Sequence, residues 1–358
     1  MINLDETLAR GLDAKASDLF FKVNTPPAMR IHGDVTPVDP SFAPLTNQDI
    51  DRFLAQIMRP EQIARFHEQM EADCAYHLPG RCRFRVNVYR QRGSTGIVFR
   101  IIPLEIPQVE DLGLPQVIKR IAANRTGFIL VTGPTGSGKS TTLAAMVDLI
   151  NRGRKGHIVT IEDPIEFVHQ DKRCIVSQRE VMIDTTNFGK ALRAVLRQAP
   201  DVILIGEMRD QESISVAMAA AETGHLVLST LHTNSAAETI ERIVNMFPPH
   251  EKPQICLRLS QTLRAVISQQ LVPRKDGAGR VVANEIMVVN PTIQGYIEEG
   301  TVGNIYPIIK QSEEQYGMQT MNMALNRLCK AGTIDVREAL SRAGNLTELK
   351  MMLRQTED

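Results

Sequence analysis

Residues 128–150 read FILVTGPTGSGKSTTLAAMVDLI, and the fold turns on how this stretch is understood. Phe128 to Thr132 form an apolar run of strand length. Gly133, Pro134, Thr135, Gly136, Ser137, Gly138, Lys139 and Ser140 match G-x-x-x-x-G-K-[ST], and a helix-forming stretch follows from Thr141 to Ile150. A strand, then a glycine-rich turn, then a helix is the context that gives this motif its physical meaning. Gly133, Gly136 and Gly138 let the main chain wrap closely around phosphate oxygens. The amide hydrogens and the helix N-terminus supply partial positive charge there. Lys139 is expected to reach the β- and γ-phosphates of ATP, and the Ser140 hydroxyl to complete a Mg2+ shell. The alternative, a glycine-rich turn that binds nothing, leaves Lys139 and Ser140 unexplained.

Outward from this loop, apolar runs of strand length alternate with helical patterns: 128–132, 158–161, 202–205 and 226–230. That alternation is the mark of an α/β unit, a mostly parallel sheet with helices on both faces. The unit is expected to span 117–358. Ile255, Leu259, Leu263 and Ile267 read as one helical stripe, and the remainder to Asp358 as mainly helical. Upstream, 1–100 reads as a small α+β domain, with helices at 4–12, 46–58 and 60–70 and extended pieces at 28–31 and 35–38 around a turn at 32–34. Residues 81–89 alternate strictly, which is the period of a strand: Arg81, Arg83, Arg85 and Asn87 on one face, Cys82, Phe84, Val86 and Val88 on the other. Pro103, Pro107 and Pro115 mark 101–116 as an extended linker, because proline fixes φ and donates no backbone hydrogen bond.

Hydrolysis of a bound triphosphate needs carboxylates at the ends of neighbouring strands, where a metal and an attacking water can be held. Two stretches supply them: IEDPIEF at 161–167, with Glu162, Asp163 and Glu166, and VILIGEMRD at 202–210. In the second, Gly206 stands where an aspartate is usual, so Glu207 is the acid at the strand end. Glu207 is expected at the metal–water site with Asp163 as a further oxygen ligand, and Glu162 either shares or holds the general-base role. The stretch TGHLVLSTLHTN at 223–234 sets His225 and His232 at the two ends of a strand. His232 lies where a γ-phosphate sensor belongs, whereas His225 reads equally well as a structural group. With no cysteine nearby, zinc is not expected. Arg81, Arg83, Arg85, Arg90, Arg92 and Arg100 read either as a solvated sheet face or as a set of which some reach a neighbouring subunit's nucleotide, a device that can contribute roughly 10³-fold to phosphoryl transfer.

The bulk numbers narrow the class. Lys and Arg total 41 against 41 Asp and Glu, and there is no Trp, so neither a nucleic-acid strip nor an anionic membrane is called for. Five cysteines without a CxxC pair exclude a disulfide scaffold or a four-cysteine zinc module. The N-terminus lacks the apolar core of a signal peptide, and no apolar run is long enough to span a bilayer, which points to a cytoplasmic protein.

Together these motifs resemble the PilT group of secretion and pilus ATPases: GPTGSGKSTT, IEDPIEF, ILIGEMRD and GHLVLSTLHT, in that order and spacing, with ALRAVLRQAPD at 191–201 and ASDLFFKVNTPPAMRIHGDV at 16–35. The likeness runs over essentially the whole chain. It implies a PAS-like N-terminal domain, a RecA-like ATPase domain and a hexameric ring binding ATP between subunits. The ring would drive pilus retraction from the cytoplasmic side of the inner membrane, through a platform protein and so only indirectly on pilin. The family supplies its trans arginines from the region holding Arg83, Arg85, Arg90 and Arg92. Where its retraction enzymes carry an AIRNLIREG-like segment, this chain has TIQGYIEEG at 292–300. An accessory or assembly member of the group and a RecA-like nucleic-acid translocase are the other readings.

Overall fold

A computed structural model of the chain describes residues 2–31, 33–102 and 105–354. It divides into two compact units, residues 1–105 and 106–358. The first is built on a six-stranded antiparallel sheet. Its strands are β1 (Asp18–Lys22), β2 (Ala28–Ile31), β3 (Asp34–Pro37), β4 (Glu71–Leu78), β5 (Cys82–Gln91) and β6 (Ser94–Ile102), in the spatial order β3-β2-β1-β6-β5-β4. Of the turn expected at 32–34, His32 lies outside the described residues.

The helices Leu4–Asp13, Asn47–Ile57 and Pro60–Gln69 contribute to a core with one face of this sheet. Thr46 and Asp49 close the start of the second in a capping box. Phe21, Phe84 and Phe99 meet edge to face at 5.2 and 5.7 Å, the geometry that aligns ring edges with ring faces. The alternation in β5 is realised: Phe84, Val86 and Val88 are buried and Arg85 is exposed. On the outer face Arg85 lies opposite Arg100 of β6, which in turn donates to Asp18 of β1 at 2.9 Å.

The second unit carries a seven-stranded sheet. Its strands are β7 (Gly127–Thr132), β8 (Gly156–Glu162), β9 (Cys174–Glu180), β10 (Val202–Ile205), β11 (Leu226–Leu231), β12 (Leu263–Pro273) and β13 (Arg280–Val288), in the order β13-β12-β7-β11-β10-β8-β9. Every pair is parallel except β12 with β13. Two apolar clusters flank it, as helices on both faces of a parallel sheet require.

Two expectations fail here. The helical stripe through Ile255, Leu259, Leu263 and Ile267 breaks at Thr262: the helix Lys252–Thr262 ends, and Leu263 and Ile267 lie in β12. Spacing by four suits a helix, but β12 gains a hydrogen-bonded partner on each side, β7 and β13, and tertiary pairing overrides local period. The mainly helical remainder likewise begins only after β13, at Pro291. Of the segment 101–116, Ile101 and Ile102 belong to β6 and pair with β5, Val109 and Leu114 are buried in the second unit, and Pro103 lies outside the described residues.

Candidate active site

Because β7, β8, β10 and β11 run parallel and in register, their C-terminal ends share one sheet edge. Leu231 stands beside Thr132, and Ile205 beside both Ser229 and Ile161. Chain segments leaving these ends deliver the phosphate loop, Glu162, Glu207 and His232 to that edge. In open α/β sheets this is where ligands bind.

The loop itself is set by its glycines. Gly133, Gly136 and Gly138 all have positive φ (141°, 77° and 88°). A Cβ on Gly133 would stand 2.3 Å from the Gln269 carbonyl oxygen and 2.6 Å from Ser137 Oγ, so only glycine fits. The helix Lys139–Gly153 starts directly after Gly138, which aims free amides at the loop's interior. Lys139 Nζ rests on the carbonyl oxygens of Gly133 (2.8 Å) and Pro134 (3.0 Å). Burial pulls its ammonium below the usual value, opposed by the charges of Glu207 and Glu166. An incoming phosphate group would give this half-buried cation a stronger partner than two carbonyls.

Gln269, on β12, braces the loop. Its amide donates to the Ser137 carbonyl at 2.7 Å, and its oxygen accepts from Thr142 Oγ1 at 3.0 Å. One strand over, Thr132 Oγ1 donates to Ser268 Oγ at 2.8 Å. Sequence reasoning misses these contacts, since the spacing of Leu263 and Ile267 reads as helix. The signal was the polar triplet Ser268, Gln269, Gln270 inside an otherwise apolar run.

The two glutamates differ in environment. Glu162 is buried at the end of β8 and accepts from Thr160 Oγ1 at 2.6 Å and from Gln178 Nε2 at 3.1 Å. Burial pushes its carboxyl up to about 7, against these hydrogen bonds and that of the Glu166 amide. Glu207 is more open. Arg209 donates to its Oε2 at 2.8 Å and His232 Nε2 lies 3.1 Å from its Oε1. At Gly206, where an aspartate is usual, a Cβ would stand 3.3 Å from the Ile161 oxygen and 3.4 Å from Glu162 Cα, a close fit that asks the neighbours to give by a few tenths of an ångström.

Glu207, Arg209 and His232 also line a cleft of about 480 Å³ with Glu238 and Arg242. His225 lies at the opposite end of β11, where its Nδ1 sits 2.9 Å from the Ala220 carbonyl oxygen. The structure gives it a structural contact away from the loop. The arginines belong to the first unit: Arg83 is half-buried and Arg85 exposed on β5, Arg90 stacks over Phe66 at 5.3 Å, and Arg92 occupies the following turn with φ of 46°. Among the described residues no three His, Cys, Asp or Glu side chains lie close enough to hold a metal unaided, and no helix is long and apolar enough to cross a membrane.

Known proteins place this geometry in a family. Residues 4–302 match the family model described as Type II/IV secretion system protein. The type IV pilus retraction ATPase PilT of Pseudomonas aeruginosa is 47% identical over 342 residues, covering 96% of this chain and 98% of its own. The type IV pilus ATPase PilU of the same organism is 41% identical, covering 99% and 92%. A crystal structure of the pilus retraction motor PilT with bound ADP superposes with a TM-score of 0.92 at 41% identity, covering 98% of this chain and all of the other. A nucleotide-binding loop on an α/β sheet edge, shared over nearly full length with such relatives, makes this chain a member of the Type II/IV secretion system protein family and an ATP hydrolase within it.

Proposed function

We propose that the chain is a hexameric, Mg2+-dependent motor that hydrolyses ATP to power type IV pilus retraction. It would work in the cytoplasm against an inner-membrane platform protein and so reach pilin indirectly. In this reading the first unit is the PAS-like domain and the second the RecA-like ATPase domain. The observation that carries it is the near-complete likeness to PilT, with the phosphate loop, the buried Glu162 and the more open Glu207 on one sheet edge.

Lys139 neutralises the β- and γ-phosphates, and the amides after Gly138 cradle their oxygens. Ser140, Glu207 and Asp163 would supply the hard oxygen donors that such a cation takes, and phosphate oxygens and water would supply the rest. When bound, Mg2+ supplies electrostatic relief of charge on the transferring phosphoryl group. Glu162 takes the proton of the attacking water, since a base tuned near 7 balances availability against basicity. Glu207, already committed to Arg209, holds charge at the metal–water site. His232 senses the γ-phosphate through Glu207, and Arg83, Arg85 and Arg92 are the set from which a neighbouring subunit completes the site.

Deleting the gene tests the function. Cells should keep surface pili and lose twitching, with recovery on expressing the wild type but not Lys139→Ala. Unpiliated cells would mean an assembly motor instead. A second reading, an accessory motor, draws on the PilU likeness and on the helix Pro291–Glu298, which lacks basic residues. Deletion would then weaken retraction under load rather than abolish it.

A further inference from the structure

Glu162 is held from its own strand by Thr160 and from the neighbouring strand by Gln178. β8 and β9 pair in parallel with Thr160 beside Gln178. Since side chains alternate along a strand, Thr160, Glu162 and Gln178 share one face of the sheet. The Gln178 amide nitrogen donates to Glu162 Oε1 (3.1 Å) and to the Phe167 carbonyl oxygen (2.8 Å), while its oxygen accepts from the His169 amide (2.7 Å). Thr160 Oγ1 donates to the same Oε1 at 2.6 Å. One residue thus ties the carboxylate to both ends of the 167–169 main chain, the run that follows Asp163 and Glu166.

We propose that Gln178 is a positioning residue for ATP hydrolysis, fixing the Glu162 carboxylate and the loop that follows it in one geometry. The inference rests on the general-base reading of Glu162 and deepens it. Glutamine suits the position because its amide supplies donors and an acceptor at once. Glutamate keeps the shape and the acceptor for His169 but loses the donors to Glu162 and Phe167, and leucine loses all three contacts. A carboxylate freed to swing away from the attacking water loses alignment, and misplacement on the scale of an ångström costs on the order of 100-fold.

The test is a double-mutant cycle on the full-length protein, with kcat and KM for ATP measured for Gln178→Glu, Gln178→Leu, Glu162→Gln and the Glu162→Gln/Gln178→Glu pair. Gln178→Glu is expected to lower kcat about 10- to 100-fold with KM unchanged, and to add no further loss once Glu162 is already glutamine. Coupling of that kind belongs to residues acting as a unit. Should Gln178→Leu lose binding of a fluorescent ATP analogue through misfolding, the shape-preserving glutamate still reads loss of the donors, together with the repulsion that its carboxylate adds beside Glu162. Slow turnover in Glu162→Gln with wild-type kcat in Gln178→Glu overturns the proposal and leaves the general-base reading standing. So does a Gln178→Glu loss that multiplies in full with that of Glu162→Gln. Wild-type turnover in Glu162→Gln removes the base itself, and the positioning role with it.

Discussion

At Glu162, burial and hydrogen bonding oppose one another and burial prevails, lifting the carboxyl from 4.5 to about 7. A general base works only when deprotonated, so kcat/KM for ATP should climb with pH through about 7 and level off above it. Thr160→Val removes a donor that holds the value down and should move that limb to higher pH; an unmoved limb would assign it to another group. Folding stability follows the opposite course. The folded protein favours the protonated acid, so this group's contribution is full below 4.5 and lost as pH rises through about 7. Glu162→Gln should lower kcat by roughly 10²- to 10⁴-fold, the usual worth of a general base, with nucleotide binding retained. Gly133→Ala should abolish nucleotide binding, since its Cβ would collide with the Gln269 carbonyl oxygen in a backbone region that L residues avoid. An alanine variant with normal ATP affinity would show that the loop is laxer than its geometry.

Elements carry the next level of control. Strand β12 stands outside the motifs yet holds the phosphate loop through Gln269, which bridges the Ser137 carbonyl and Thr142. Gln269→Leu should therefore weaken ATP binding about tenfold or more by leaving both groups without their partner, read as a rise in Kd in equilibrium titration. Affinity equal to wild type would make the brace dispensable. This strand also shows where sequence reading stops. Periods of two and four both fit a short apolar run such as 263–273, and only pairing with β7 and β13 decides between them. By contrast, the Gly-rich turn between strand and helix, the alternation of β5 and the acids at strand ends were legible, because each rests on contacts made within a few residues. Gln178 and Gln269 were not, since the partners of each lie on other segments brought beside it by the fold and neither residue type announces a role.

At the scale of the whole molecule, the proposed ring demands that one chain complete its neighbour's site. A variant lacking Arg83, Arg85 and Arg92 keeps its phosphate loop, and Lys139→Ala keeps the arginines. Each alone should be inactive, while mixed rings should regain turnover, because one subunit's loop then meets another's arginines. No recovery on mixing would place the arginines in a role within their own chain. Beneath ring and pilus lies a simpler claim, that the edge built by Gly133–Ser140, Glu162 and Glu207 breaks the last anhydride of ATP. Phosphate release by the purified full-length chain with Mg2+ and ATP, beside Lys139→Ala, tests it most directly. The account predicts steady turnover that the lysine variant loses; equal rates in both, or no release from either alongside no measurable nucleotide binding, would contradict it.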